Sequence, residues 1–241
     1  MSEHTLDVIE AGRVPYAQAL AWQREMARAR IAGRAARDLL LLVEHPPVIT
    51  LGRGAHRENV VHPEGVDVFE IERGGDVTFH GPGQLVGYPI LDLTAHRRDL
   101  HWYLRTLEHA LIAALATLGL PAERRAPHTG VWTCGRKIAS IGVHVRQWVT
   151  WHGFALNVTT DLSSFDRIVP CGIVGVEMTS VARERDSRGE AAAGAAGLWS
   201  QSVAAVILGF ERAFGFRATT APKAYVEELC RGTAPLLSAA P

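Results

Sequence analysis

The chain has 241 residues and 26.2 kDa, 47% hydrophobic and 21% charged, the profile of an ordinary globular protein able to bury one sizeable core. Lys+Arg 25 balance Asp+Glu 25 at a pI near 7.2, which excludes a field drawing the whole chain to nucleic acid or to an anionic membrane. No apolar run approaches the ~18–20 residues of a membrane helix, and Met1 to His4 opens no signal-peptide pattern, so a cytoplasmic location with no nucleic-acid or membrane partner is expected.

In chain order, Pro15 and the Ala, Leu, Trp and Met spacing after it predict an amphipathic helix to about Asp38, with Arg24, Arg28 and Arg34 on its wet face. Leu39–Val43 and Val48–Leu51 read as short apolar strands parted by the turn His45-Pro46-Pro47. Val66–Ile71 alternates like a half-buried strand, and Val86–Leu91 reads as another. Asp99 is the expected N-cap of a helix through Trp102, Leu107, Leu111 and Leu115, stopped by Gly119 and Pro121. Lys137–Val145 and Val149–Val158, rich in β-branched and aromatic residues, predict a hairpin broken near Arg146-Gln147. Residues 183–197, an Arg-Asp-Ser-Arg-Gly-Glu stretch and an Ala/Gly run, predict an exposed, mobile insertion before a last helix, Leu198–Phe214; the tail 231–241 is expected to fray. Strand runs clustered among three helices, with no repeat and no dividing linker, indicate one α+β domain, 1–241, around a mixed sheet.

The three cysteines, Cys134, Cys171 and Cys230, are too few for a disulfide framework and form no CxxC pair. Eleven histidines form neither an HExxH nor any cluster with ligand spacing, so no metal is expected. P-loop, GxGxxG and GxSxG motifs are also missing, which disfavours standard phosphate cradles and serine hydrolases.

Three segments remain. Arg73 to Gln84 is the densest glycine stretch, able either to bring backbone N–H groups close to a ligand or simply to satisfy a long β-loop. Cys171 stands between Pro170 and Gly172, where proline sets the approach and glycine frees the next N–H; an inert core cysteine is the ordinary alternative. Lysine occurs only at Lys137 and Lys223 in a chain that otherwise uses arginine, and Lys137 begins an apolar strand where partial burial would favour an amine that gives up its proton. A strand-end lysine that snorkels to water is the alternative there. Ser140 is a hydrogen-bonding candidate, while His80 and His152 adjoin glycines in these segments and could equally be structural. Cys134 is expected to be a buried bystander.

Four segments together resemble the lipoyl(octanoyl) transferase family. They are Arg73-Gly74-Gly75-x-x-Thr78-Phe79-His80-x-x-Gly83-Gln84-x-x-x-Tyr88, then Gly135-Arg136-Lys137-Ile138-Ala139-Ser140-Ile141-Gly142, then His152-Gly153-Phe154-Ala155-Leu156-Asn157, and finally Asp161-Leu162-x-x-Phe165-x-x-Ile168-x-Pro170-Cys171-Gly172-Ile173. The resemblance covers about residues 38 to 180 and leaves the Ala/Gly insertion and the tail outside the pattern. It implies the catalytic fold shared by biotin and lipoate protein ligases and a catalytic Cys171–Lys137 pair. It implies acyl-binding segments at Arg73, Gly74, Gly75, Asp76, Val77, Thr78, Phe79 and His80, at Ser140, Ile141 and Gly142, and at Gly153, Phe154 and Ala155.

It also implies transfer of an octanoyl group from octanoyl-acyl carrier protein to a lysine of the lipoyl domains of 2-oxoacid dehydrogenases and of the glycine cleavage H protein. No ATP, metal or other cofactor is called for, because a thioester donor is already activated. In that chemistry Cys171 carries the acyl group as a thioester, Lys137 stabilises the thiolate and moves protons, and the Cys171 and Gly172 N–H groups are candidates for the oxyanion hole. Arg97-Arg98 and Arg124-Arg125 are candidate contacts for acidic partners. Three other readings stay open at this stage: an ATP-dependent lipoate or biotin ligase, a non-catalytic acyl-binding protein, and a thioester hydrolase.

Overall fold

An apolar run with no polar alternation, such as Leu39 to Val43, suits a strand covered on both faces. The computed structural model, which describes residues 4–190 and 197–232, places it in such a strand. The first half of the chain forms strand β1 (His4–Arg13), helix α1 (Tyr16–Ile31), strands β2 (Asp38–Glu44), β3 (Val48–Leu51), β4 (Asp67–Glu70), β5 (Val77–His80) and β6 (Gln84–Ile90), and helix α2 (Leu100–Thr117). The second half forms strands β7 (Val131–Thr133), β8 (Arg136–Arg146) and β9 (Val149–Asn157) and helices α3 (Val181–Asp186) and α4 (Leu198–Phe214). Strand β10 (Phe216–Thr220) and helix α5 (Lys223–Arg231) follow.

The main sheet runs β10-β1-β2-β6-β9-β8-β7. β1 is parallel to β10 and to β2, and every other pairing is antiparallel, so the sheet is mixed, as the sequence indicates. Side chains alternate across it: Leu40 and Leu42 of β2 pack with α2 and α4, whereas Leu39, Leu41 and Val43 pack with α1 and α5. A three-stranded sheet, β4-β3-β5, carries the glycine segment and has its own apolar cluster with Phe165, Ile168 and Met178.

Asp99 caps α2 as expected, its carboxylate accepting the Trp102 N–H at 3.0 Å, and the Leu198–Phe214 helix is confirmed. α1 stops at Ile31, short of Asp38, because Gly33 takes φ +73° and the Arg34 N–H returns to the Ala29 carbonyl at 2.8 Å. The hairpin turn lies at Gln147-Trp148, one residue later than expected, both residues having positive φ. β7 and β8 are joined by a two-residue turn of the same kind, Cys134-Gly135, which makes Cys134 exposed and overturns the buried bystander. The expected insertion is also revised at its start. Ser180 caps α3, and Glu184, fully buried, accepts hydrogen bonds from Arg136 at 2.8 and 3.0 Å, so 183–186 is packed helix; 191–196 lies outside the described residues, as does the tail from 233. Besides α3, the elements β1, β5, β7, β10 and α5 carry no strong local signal and have no counterpart among the expected elements. Among the described residues no helix is long and apolar enough to cross a membrane.

Candidate active site

Lys137 enters the site from the start of β8. There it pairs with Trp132 of β7, beyond a register shift at Val131, and is also held by residues 177–179: the Lys137 N–H donates to the Glu177 carbonyl at 2.8 Å and the Thr179 N–H to the Lys137 carbonyl at 2.9 Å. Its side chain is buried against the Trp132 ring, 5.0 Å from Nζ to the ring centre, and does not snorkel. Cys171 comes from a single turn, Pro170–Gly172, anchored by the Val169 N–H on the Asn59 carbonyl at 2.7 Å. Its φ of 56° is left-handed, an uncommon state for a residue with a Cβ, held here by the packed turn around it. Gly172 has φ +67°, and a Cβ there would stand 2.4 Å from Asp76 Oδ2, so both backbone and space demand glycine.

The outcome is a Lys137 Nζ to Cys171 Sγ distance of 3.1 Å, with Ser140 Oγ 3.8 Å from the same sulfur. An inert core cysteine would not face an amine. The pair lines a partly open cavity of about 280 Å³ whose walls also include Arg73, Thr78, His80, Ile141, Gly142, Gly153, Phe154 and Ala155. That is just under the ~300–1,000 Å³ of drug-sized sites, a size suited to a slim chain. On its other side Cys171 borders an open groove with Gly54, His56, Asn59 and Asp76.

Strand geometry sorts the expected binding segment. Thr78 and His80 line the cavity, while Val77 and Phe79 point to the other face of β5 and join the apolar cluster, so they support the pocket from behind. Gly74 lies outside the wall and donates its N–H to the Val143 carbonyl at 2.9 Å, laying the substrate loop on β8. Gly142 permits this: a Cβ there would come within 2.9 Å of the Gly74 carbonyl oxygen. The Gly172 N–H, expected in the oxyanion hole, donates instead to the Val169 carbonyl at 3.0 Å, because the turn closes on itself. Of the expected pair, the Cys171 N–H is the one that does not close this turn.

Buried polar groups fix the far wall. Arg73 donates to the Thr50 carbonyl and hydroxyl at 2.8 and 2.9 Å. His80 donates Nδ1–H to Gln84 Oε1 at 2.8 Å; Gln84 in turn donates to Asn157 at 3.0 Å and Asn157 to the Thr179 carbonyl at 3.0 Å, a chain ending beside Lys137. Burial, with His45 nearby, pushes the His80 imidazole down to about 3, so it is neutral with Nε2 as acceptor. His45 donates Nδ1–H to the Val14 carbonyl and accepts from the Tyr88 hydroxyl, both at 2.7 Å, and burial lowers it to about 4. Tyr16, Val86, Tyr88, His128 and His152 also line the cavity. Within the β6 strand the shared parity of Val86 and Tyr88 was a usable signal; nothing local marks Tyr16 or His128.

A family model for the lipoyl protein ligase A/B catalytic domain matches residues 15–193. The chain belongs to that family. It is 60% identical over 167 residues to the octanoyltransferase of Gloeobacter violaceus, spanning 69% of this chain and 75% of that one. In fold it is similar to a lipoate-protein ligase A solved with ATP, at TM-score 0.72 and 19% identity over 95% of this chain and 93% of that one. It is also similar to the biotin protein ligase of Leishmania major, at TM-score 0.51 and 11% identity over 96% and 81%. The chain thus shares the fold of these ligases, and its octanoyltransferase relatives make it an acyltransferase.

Proposed function

We propose that the protein transfers octanoyl from octanoyl-acyl carrier protein to a lysine of lipoyl domains, through a thioester on Cys171. The observation that carries this is the Lys137 amine 3.1 Å from the Cys171 sulfur in the wall of the cavity. The octanoyltransferase names of the near relatives support it.

In the first half-reaction an ammonium at Lys137 favours the Cys171 thiolate, which attacks the carrier thioester carbonyl. The acyl–sulfur bond to the carrier breaks, and Lys137 gives its proton to the leaving thiol. The donor's arm reaches the sulfur from the open groove while its chain occupies the cavity. In the second half-reaction the acceptor lysine amine attacks the Cys171 thioester, Lys137 takes the proton released, and the Cys171 thiolate leaves. The developing oxyanion is met by the Cys171 N–H. A thioester is exchanged for a thioester and then converted downhill to an amide, so no ATP is consumed. Arginine at position 137 would keep the charge and could not give up the proton. The acceptors are the lipoyl domains of 2-oxoacid dehydrogenases and the glycine cleavage H protein, met in the cytoplasm.

Intact-protein mass spectrometry tests this. Mixed with octanoyl-acyl carrier protein and no ATP, the wild type is expected to gain one octanoyl group, discharged by a lipoyl domain. Cys171→Ser should gain none, and Lys137→Arg should be slowed by about 10²–10⁴-fold, the usual worth of a general acid-base group. Acylation only with free octanoate and ATP would transfer the reading to a ligase, and rapid loss of the adduct to water to a hydrolase.

A further inference from the structure

The wall of the cavity includes a buried residue that no catalytic step uses. His152 lines it, is 2% exposed, and has φ +56°, a left-handed backbone in the middle of β9. Its N–H donates to Gln23 Oε1 at 3.0 Å, and its ring Nε2 is buried without a hydrogen-bond partner, 3.8 Å from Glu72 Oε1.

Register places this residue along the acyl path. Ser140, beside the Cys171 sulfur, pairs with Ala155, and Val143 pairs with His152, so His152 lies three residues further along the strands. Three residues of strand rise about 10 Å, and an extended eight-carbon chain spans about 9 Å by standard bond lengths.

Behind His152 lies an outer groove lined by Arg24, Ile31, Glu72 and Trp151, and it shares no lining residue with the cavity. Glu72 is tied there by two bonds from Arg24, at 2.9 and 2.7 Å, and one from Trp151 Nε1 at 2.9 Å. His152 lines the cavity and Glu72, 3.8 Å from its ring, lines the groove, so this pair of side chains stands between the two.

We infer that His152 is the chain-length stop of the acyl pocket, with Glu72 as the brace that holds it against a longer chain. This rests on the acyl-transfer reading above. Removing the stop would let the chain pass into the outer groove beside Ile31 and Trp151. His152→Gly suits the left-handed backbone, and Glu72→Ser loosens the brace while leaving the ring in place.

The experiment compares rates of Cys171 acylation by octanoyl-, decanoyl- and dodecanoyl-acyl carrier protein. Wild type should fall by about tenfold or more beyond eight carbons, as expected of a pocket that rejects longer chains by clash. In His152→Gly the ratio of decanoyl to octanoyl rate should rise by about tenfold, each newly buried methylene being worth about fourfold. Glu72→Ser should move the same ratio in the same direction by less. A wild type indifferent to chain length, or two variants with the wild-type ratio, would overturn the stop while leaving the transferase intact. If wild type takes no octanoyl group, the transferase reading itself fails.

Discussion

At position 172 one hydrogen atom in place of a methyl group decides whether the Cys171 turn can form. Alanine there would meet a left-handed backbone, worth about 1–2 kcal/mol against a residue with a Cβ, and a contact of 2.4 Å with Asp76. Gly172→Ala should therefore lower stability by about that amount and slow alkylation of Cys171 by iodoacetamide. Asp76→Ala in the same chain should recover part of both. Unchanged alkylation in Gly172→Ala would show that the turn does not set the cysteine's position. The Pro-Cys-Gly pattern was legible as a constrained turn, but the loss of the Gly172 N–H to Val169 was not, since it depends on how tightly the turn closes. Likewise Val77 and Phe79 belong to a binding motif in sequence and to a core cluster in space, because neighbours on a strand face opposite ways.

Among the elements, α2 and α4 could be read well from the sequence because their apolar spacing is long and regular. α3 was hidden inside a stretch whose composition resembles a loop. Its place is decided by contacts: Glu184, with no exposed side-chain surface, is gripped by Arg136 of β8, whose own side chain keeps 25% of its surface in water. Glu184→Ala leaves that guanidinium without its acceptor, and urea unfolding should show a loss of about 2–3 kcal/mol, below the ~3–5 kcal/mol of a wholly buried pair. Because residues 177–179 bridge α3 to Lys137, Cys171 acylation should slow in the same variant. A fully stable, fully active Glu184→Ala would mean that the helix does not brace the lysine.

For the molecule as a whole, three buried histidines couple stability to pH. His45, His80 and His152 are all held below the ordinary imidazole value by burial, to about 4 and about 3 for the first two. The unfolded chain therefore binds more protons than the folded one once pH drops below about 6.5. Stability should be complete above that value and should fall with pH toward about 4, at up to ~1.4 kcal/mol per unit for each histidine. Glu72, held well below the carboxylate range by His152, Arg24 and Trp151, adds a loss of the same sign at still lower pH. Urea midpoints at pH 7 and pH 5 check this, and equal midpoints would contradict the neutral buried histidines.

Sequence alone determined the mixed sheet, its best strands and helices, and the ordered motifs that mark the family, because each rests on local periodicity, turn chemistry or residue spacing. Tertiary structure alone decided that Lys137 and Cys171, 34 positions apart, stand 3.1 Å from each other, and that Tyr16, His128 and His152 complete the cavity. It also decided that a second groove, lined by Glu72 and Trp151, lies next to His152. Such placements come from strands pairing across the fold and from helices covering them, contacts between residues distant in the chain that leave no periodic trace along it.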